Sequence, residues 1–229
     1  MILGVLQARA DGPRMPGRAM KPILGMPMIG RQLERLARCE SLDRLVVATS
    51  FDPSDDALAA YVEGLGVRVF RGGVIDVLGR VQGAAIAHGP ATHVAHLNAA
   101  CPLTDPGVVD ACVWLHVEEG ADYTSNTLDR SYPAGLDVEV TTAAALTAAW
   151  REASDPLERA QPTAYLLNRP ERFRHAQLVQ SAPVAGRRWT VETTEDFEFV
   201  SRVFYMLYPT RPRFEQADVL ALSLERQAA

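Results

Sequence analysis

The sequence has very little lysine and few cysteines. Lys21 is the single lysine among 23 basic side chains, and all the others are arginine. Such a bias is typical of a GC-rich genome, so an arginine at a position where lysine is usual says little about function. The three cysteines, Cys39, Cys101 and Cys112, form neither a CxxC pair nor a regular disulfide framework. We therefore expect three reduced thiols.

An excess of positive charge and long apolar segments are also absent. The 23 basic and 28 acidic side chains give a net charge of −5, with no basic tail, which argues against a nucleic-acid partner. No uncharged apolar run reaches the roughly 18 residues of a membrane helix, and the first residues lack the features of a signal peptide. We predict a cytoplasmic protein that does not contact the membrane.

What the sequence does contain is a regular alternation of strands and helices. Its 229 residues are 48% hydrophobic, so we predict a single domain over residues 1–229. Short apolar runs alternate with amphipathic stretches of about a dozen residues, which predicts an α/β fold with a mostly parallel sheet. The predicted strands are 1–7, 44–50, 67–70, 93–97, 123–126, 134–140 and 188–191. The predicted helices are one around 29–37, then 53–64, 77–88, 106–118, 143–152, 197–208 and 217–226.

Two positional expectations follow from this arrangement. Open sheets of this kind bind ligands beyond the carboxyl ends of their strands, so the loops after the first, second and fifth strands are the first candidates. Residues 156–188 are irregular and rich in proline and arginine. We expect this segment to be an excursion that packs against a second subunit. Ser54, Asp55 and Asp56 stand at the start of the second predicted helix, where such residues are favoured.

The loop after the first strand is the strongest local signal for ligand binding. Residues 7–18 contain three arginines and two glycines. Backbone N–H groups and guanidinium forks in such a loop can hold a triphosphate. The loop matches neither the Walker pattern nor GxGxxG, and by itself it is equally compatible with a solvated basic loop.

Several short motifs occur in one order along nearly the whole chain. They are MILGVLQARADGPRMPGRAMKPILG at 1–25, VVATS at 46–50, DD at 55–56, FRG at 70–72, DVL at 76–78 with Arg80, CPLTDP at 101–106, SN at 125–126, YPAGLDVEV at 132–140 and TVETTE at 190–195. In this order they resemble cytidylyltransferases of the spore-coat-polysaccharide type, which are relatives of the CMP-Kdo and CMP-sialic acid synthetases.

The resemblance implies both a fold and a reaction. The fold is a Rossmann-like nucleotidyltransferase domain with a mixed, mostly parallel sheet and a dimerisation excursion at 156–188. The reaction is Mg²⁺-dependent transfer of CMP from CTP to a sugar acid or related small acidic acceptor, including a phosphonate, with release of pyrophosphate. A homodimer and a role in polysaccharide biosynthesis are implied as well.

The resemblance also implies site residues. The catalytic residues would be Arg14 and Arg18, with Arg18 in place of a usual lysine. The nucleotide would contact Leu6, Gln7, Ala8, Arg9, Gly12, Arg14, Arg18, Ser50, Arg71 and Asn98. The acceptor would lie near Asn126, Asp137 and Glu139. By sequence alone, Asp137 and Glu139 also fit the solvent face of a half-buried strand, and Asn126 fits a turn.

A metal ion belongs to this chemistry. Attack on the α-phosphorus requires neutralisation of phosphate charge, and Mg²⁺ commonly uses one or two carboxylates plus phosphate oxygens. The resemblance implies two metal-binding aspartates. Here Glu192 takes one of these positions and Ala100 takes the other, so one carboxylate is missing.

Three hypotheses explain Ala100. It is a substitution introduced to inactivate the enzyme, or a natural variant in which Glu192, Asp11 or Asp105 and the phosphates hold the metal. Alternatively, the chain is a degenerate, non-catalytic protein that binds a nucleotide or nucleotide sugar. The other motifs favour an enzyme. The five histidines show no metal-ligand spacing, since His93 and His96 point to opposite faces of a strand, and we predict structural roles for them.

Overall fold

The computed structural model describes residues 1–10, 15–182, 184 and 186–225. Its strands are β1 Ile2–Gln7, β2 Pro22–Ile23, β3 Met26–Pro27, β4 Arg44–Ser50, β5 Arg68–Gly72, β6 His93–Asn98, β7 Tyr123–Ser125, β8 Glu139–Thr142 and β9 His175–Gln177. Its α-helices are α1 Met28–Leu36, α2 Asp56–Gly64, α3 Val77–His88, α4 Pro106–Glu119, α5 Ala143–Glu152, α6 Pro156–Ala160, α7 Ala164–Leu167, α8 Thr194–Leu207 and α9 Gln216–Glu225.

One mixed sheet organises the described residues. Its strand order is β5-β4-β1-β6-β8-β7-β9. Strand β1 is parallel to β4 and β6, and β5 is parallel to β4. Strand β8 runs antiparallel to both β6 and β7. The predicted α/β fold with a mostly parallel sheet is confirmed, and the carboxyl ends of β1, β4, β5 and β6 share one edge.

Helices cover both faces of this sheet, which is why β1 is apolar along most of its length. One face packs against α1, α2, α4, α8 and α9 through a core that includes Ile29, Leu33, Leu58, Val62, Val109, Val113, Val203, Phe204 and Val219. The other face packs against α3, α5 and α7 through Leu78, Val81, Leu146, Ala149 and Leu166. Cys39, Cys101 and Cys112 are free thiols, as expected.

The strands predicted at 134–140 and 188–191 are largely wrong. Strand β8 begins only at Glu139, and the two segments meet at a single bridge between Ala134 and Arg188. Gly135 explains the break. Its φ is 107°, and a Cβ there would lie 2.7 Å from the backbone of Trp189 and Thr190. The chain bends at this glycine to pack backbone against backbone, so it cannot stay extended.

Residues 156–188 are more ordered than their composition indicates. They include α6 and α7, and they add β9 to the sheet beside β7. The segment therefore packs on its own domain, while its expected contact with a second subunit stays a prediction. None of the helices in the described part of the chain has the length and hydrophobicity to span a membrane.

Candidate functional site

The loop after β1 is fixed at both of its described ends. Ala8 N donates to Ala48 O (3.0 Å), and Ala10 O accepts from Gly17 N (2.7 Å). Gly17 has φ 73°, a conformation that glycine adopts without strain. Leu6 and Ala8 are buried, so their side chains are not exposed to a ligand. Gly12 and Arg14, predicted to bind the nucleotide, and Asp11, considered for the metal, lie outside the described residues.

Asp55 ties this loop to the loop after β4. Its buried carboxylate accepts from Ala10 N (2.7 Å) and Ser50 N (3.2 Å), and also from the Ser50 hydroxyl. Arg9 Nε lies 3.7 Å from the same carboxylate. Asp55 lies at the N-cap position of α2, as expected, but its side chain makes no capping hydrogen bond there. Asp52 caps the preceding 3-10 turn Pro53–Asp55 by accepting from Ser54 N (2.9 Å).

Arg71 stabilises the loop after β4 from the neighbouring strand. Its guanidinium donates to Ser50 O (2.8 Å) and Asp52 O (3.1 Å). It also forms an ion pair with Asp56 at 2.6 Å. Arg71 and Ser50 therefore lie together at the carboxyl edge of the sheet. The Ser50 side chain is buried and already donates to Asp55, which leaves Arg71 as the more accessible of the two.

The loop after β6 meets the segment before α8. Asn98, exposed at the end of β6, accepts from Ala100 N through Oδ1 (2.9 Å). Ala100 O accepts from Val191 N (2.8 Å). Val191 O in turn accepts from Arg18 Nη1 (2.8 Å). The structure thus brings Arg18 and Asn98 together with the two expected metal positions, Ala100 and Glu192.

Four charged side chains surround the thiol of Cys101, the residue after Ala100. Burial raises the pKa of Cys101, and the charges of Asp137 and Glu192 raise it further, whereas Arg18 and Arg130 lower it. Arg130 donates to Asp137 at 2.6 Å. The predicted acceptor residue Asp137 therefore pairs with Arg130, and its charge, like those of Arg18 and Glu192, acts on Cys101. Sequence reasoning missed Arg130, because no motif links it to Asp137.

Asn126 has a different position from the other two predicted acceptor residues. It is fully buried. Its Nδ2 donates to Leu136 O (2.7 Å), and its Oδ1 accepts from Val138 N (3.0 Å). Both ends of the amide are thus used to hold the backbone on either side of Asp137.

Glu139 lies opposite His96 in the β6–β8 ladder. One carboxylate oxygen accepts from Tyr123 Oη (2.8 Å) and from Thr163 Oγ1, and the other lies 3.0 Å from His96 Nδ1. Burial by itself raises the pKa of Glu139, but hydrogen bonds and the charge of His96 outweigh it, so the pKa is lowered. Glu139 is therefore an ionised centre of a hydrogen-bonded group that includes His96, which was predicted to be merely structural.

Arg80 is a second residue whose role sequence reasoning missed. It is 1% exposed, and its Nε and Nη2 make no hydrogen bond with the described residues. Its Nη1 donates to Gly73 O and to Val74 O. Burial lowers the pKa of Arg80, and the charge of Arg9 lowers it further. The Nε–H and Nη2–H groups of Arg80, which make no hydrogen bond with the described residues beside Arg9, favour a ligand rich in acceptor oxygens.

The described residues provide one carboxylate for a metal at the Ala100 position. Glu192 is partly exposed beside Val191. Asp105 is not available, because its carboxylate caps α4 at Gly107 N (2.9 Å) and accepts from Gln216 N (2.6 Å). Within the described ranges, no three or more His, Cys, Asp or Glu side chains are grouped to hold a metal. These residues fit a divalent ion that is bound partly by the phosphate oxygens of a ligand. They do not fit a site in which protein side chains supply all the metal ligands.

Comparison with known proteins agrees with this geometry. The sequence profile of the family described as Cytidylyltransferase matches residues 3–223. The spore coat polysaccharide biosynthesis protein SpsF of Bacillus subtilis is 28% identical, covering 96% of this chain and 93% of its own. The 3-deoxy-manno-octulosonate cytidylyltransferase of Syntrophobacter fumaroxidans is 48% identical over 28% of this chain and 24% of its own. A cytidylyltransferase structure from Leptospira borgpetersenii superposes with a TM-score of 0.93 at 24% identity, covering 99% of this chain and 95% of that one.

Proposed function

This chain belongs to the cytidylyltransferase family and is a CTP-dependent cytidylyltransferase, and we propose that it transfers CMP to an oxygen of a small acidic acceptor. A sugar acid is the acceptor class that its relatives favour, and a phosphonate is a further member of the proposed class. The acceptor oxygen attacks the α-phosphorus, the bond from that phosphorus to the bridging oxygen breaks, and pyrophosphate leaves.

One observation carries this proposal. The Arg18 guanidinium donates to Val191 O between Ala100 and Glu192, at the edge where the loops after β1 and β6 meet. A guanidinium presents its N–H donors in a planar fork that suits phosphate oxygens. In this position it would stabilise the charge that develops on the departing pyrophosphate. Arg14, from the same loop, is proposed to share this catalytic role.

The nucleotide is proposed to lie along the carboxyl ends of β1, β4 and β6. Gln7, Ala8, Arg9 and Gly12 would contact it from the loop after β1, with Leu6 contributing backbone. Ser50, Arg71 and Asn98 would contact it from the neighbouring loops. Arg80 joins this set, since its unused N–H groups lie beside Arg9 in a buried position.

The acceptor is proposed to bind where Asp137 and Arg130 form their pair. Arg130 offers a fork that suits an acidic group on the acceptor. Asn126 would act by fixing the backbone on both sides of Asp137. Glu139 would act by ordering β8, which begins at this residue. Each role follows from the hydrogen bonds that these side chains already make.

A divalent ion, Mg²⁺ in our proposal, would be held by Glu192 and the phosphate oxygens of CTP. When bound, it would neutralise phosphate charge during transfer. A catalytically inactive nucleotide-binding protein is the alternative function, and Ala100 is the observation that favours it.

Pyrophosphate release distinguishes the two functions. The chain is incubated with CTP, Mg²⁺ and a panel of sugar acids and phosphonates, with ATP replacing CTP as the control. Our proposal predicts release that requires CTP, one acceptor class and Mg²⁺. Binding of CTP without release for any acceptor would support the inactive alternative.

We also propose that the protein is a cytoplasmic homodimer that uses residues 156–188 for its subunit contact. Leu157 of α6 is 72% exposed and Val179 is 56% exposed, which supports an apolar contact in this segment. Sedimentation equilibrium tests the proposal. A dimer that becomes a monomer in Leu157→Glu is expected, and a wild-type monomer would refute it.

A further inference from the structure

The turn between β5 and α3, residues 73–76, lies at the carboxyl edge of the sheet and gains little from apolar packing. Ile75 is 83% exposed, and Gly73 is exposed as well. Polar contacts must therefore hold this turn, which we call the 73–76 turn.

Arg80 contacts the 73–76 turn from α3. Its Nη1 donates to Gly73 O and to Val74 O (2.6 Å). Its Nε and Nη2 make no hydrogen bond with the described residues. A guanidinium is planar and rigid, so a shift of the two carbonyl groups would also move the Nε–H and Nη2–H donors. The turn thus sets the orientation in which Arg80 can meet a ligand.

Asp76, the last residue of the turn, is bound on two sides. One of its carboxylate oxygens caps α3 by accepting from Gly79 N (2.8 Å). The other accepts from Arg159 Nη2. The cap alone would fix Asp76 only to its own helix, so the second bond ties the turn to a different part of the chain.

Arg159 belongs to α6, in the segment 156–188. Its Nη1 donates to Trp150 O near the end of α5 (2.7 Å). The guanidinium is therefore anchored on α5 while it binds Asp76. The Arg159 side chain is 24% exposed and that of Asp76 is 36% exposed, so the pair lies at the surface and its loss should leave the fold intact.

We propose that Arg159 is a positioning residue for nucleotide binding. It acts through Asp76 on the 73–76 turn, whose carbonyl groups orient the Arg80 guanidinium toward CTP. This inference rests on the proposed function. It gives the segment 156–188 a role within its own subunit, in addition to the proposed subunit contact. Without the bond from Arg159 the turn would be held less firmly, and Arg80 would lose part of its orientation.

A double-mutant cycle on CTP affinity, measured by calorimetric titration, tests the inference. Arg159→Met removes the bond to Asp76 and keeps an unbranched side chain. It should weaken CTP binding about three- to tenfold, at most the loss typical for one hydrogen bond. Because Arg159 acts through Arg80, the double variant should bind CTP no more weakly than Arg80→Met alone. Two residues that act separately would instead give additive losses.

Arg169→Met is the matched control. Arg169 lies in the same segment and, like Arg159, donates to one carboxylate and one backbone carbonyl, those of Glu158 (2.6 Å) and Tyr165 (2.9 Å). These partners lie outside the 73–76 turn. The control should therefore retain the wild-type affinity for CTP, although it also removes a positive charge and two bonds from the segment.

Three results would overturn the inference while wild type still binds CTP and the proposed function stands. They are wild-type affinity in Arg159→Met, an equal loss in Arg169→Met, and a loss from Arg159→Met that is the same with and without Arg80. If wild type binds no CTP, the inference and the proposed function both fail. Should Arg80→Met not fold, Arg80→Lys, which retains a cation but has no Nε–H group, replaces it in the cycle.

Discussion

Val191 N donates to the carbonyl oxygen of Ala100 across 2.8 Å. This bond joins the two segments in which the resemblance implies metal-binding aspartates, since Glu192 directly follows Val191. The backbone of these two segments is therefore held together at the proposed metal position, although one of the implied carboxylates is missing. The rate of pyrophosphate release should therefore rise when an aspartate replaces Ala100.

Ala100→Asp should raise Mg²⁺-dependent pyrophosphate release by at least about tenfold, because it adds a second carboxylate beside Glu192. The assay is initial rate against Mg²⁺ concentration. The double variant Ala100→Asp, Glu192→Gln is the control and should lose the gain. An unchanged rate in Ala100→Asp would mean that this position does not limit catalysis.

Arg18→Ala should lower kcat by about 10²- to 10³-fold, the loss typical for one group that stabilises transition-state charge. Arg18→Lys keeps the charge and should recover part of the rate, since the usual residue at this position in the family is lysine. Steady-state rates and thermal midpoints are measured together. Equal kcat values in wild type and Arg18→Ala, with the same thermal midpoint, would remove Arg18 from the catalytic group.

Arg80→Met should weaken CTP binding by about tenfold or more, because the buried guanidinium has N–H groups that no described residue satisfies. Methionine retains much of the buried volume but leaves Gly73 O and Val74 O without their Nη1 donor, so the free energy of unfolding should also fall by about 1–3 kcal/mol. Calorimetry gives the affinity, and urea unfolding gives the stability. Undiminished CTP affinity would show that Arg80 is only a structural residue.

His116→Gln should reduce the acid sensitivity of folding. Burial, and then the charge of His93, lower the pKa of His116 from 6.5 to about 4. As pH falls from about 6.5 to about 4, the unfolded chain therefore binds this proton first, and the free energy of unfolding decreases. One pKa unit corresponds to about 1.4 kcal/mol, so His116 accounts for at most about 3 kcal/mol.

Urea unfolding of wild type and His116→Gln at pH 7 and pH 4.5 measures this effect. The difference between the two pH values should be smaller in the variant. Parallel losses in both proteins would assign the acid sensitivity to other groups.

Local features of the fold were predictable where short-range physics decides them. Helices α3 and α5 have the predicted limits of 77–88 and 143–152. Their side-chain caps, Asp76 accepting from Gly79 N and Thr142 accepting from Ala145 N, are sequence-local. The strand at 134–140 was not predictable in this way, because the bend at Gly135 is set by the approach of Trp189, more than fifty residues later.

The same distinction applies to the candidate site. The loops after β1 and β4 were predicted, since buried parallel strands place their following loops on one edge, whereas Asn98 and Ala100 after β6 were singled out by the resemblance. The place of Asp55 at a helix start was predicted, but its contacts with Ala10 and Arg9 were not, because they join residues about forty-five positions apart. The sequence alone does not show that Arg80 differs from an exposed polar residue of a helix. Its burial in α3 is visible only in the structure.

The most direct test of the account is calorimetric titration of CTP, ATP, GTP and UTP against this chain, once with Mg²⁺ and once with EDTA. We predict selective binding of CTP that is strengthened by Mg²⁺, since Glu192 and the phosphates would share the ion. Absence of binding for all four nucleotides would contradict the account and leave a cytidylyltransferase fold that serves another purpose.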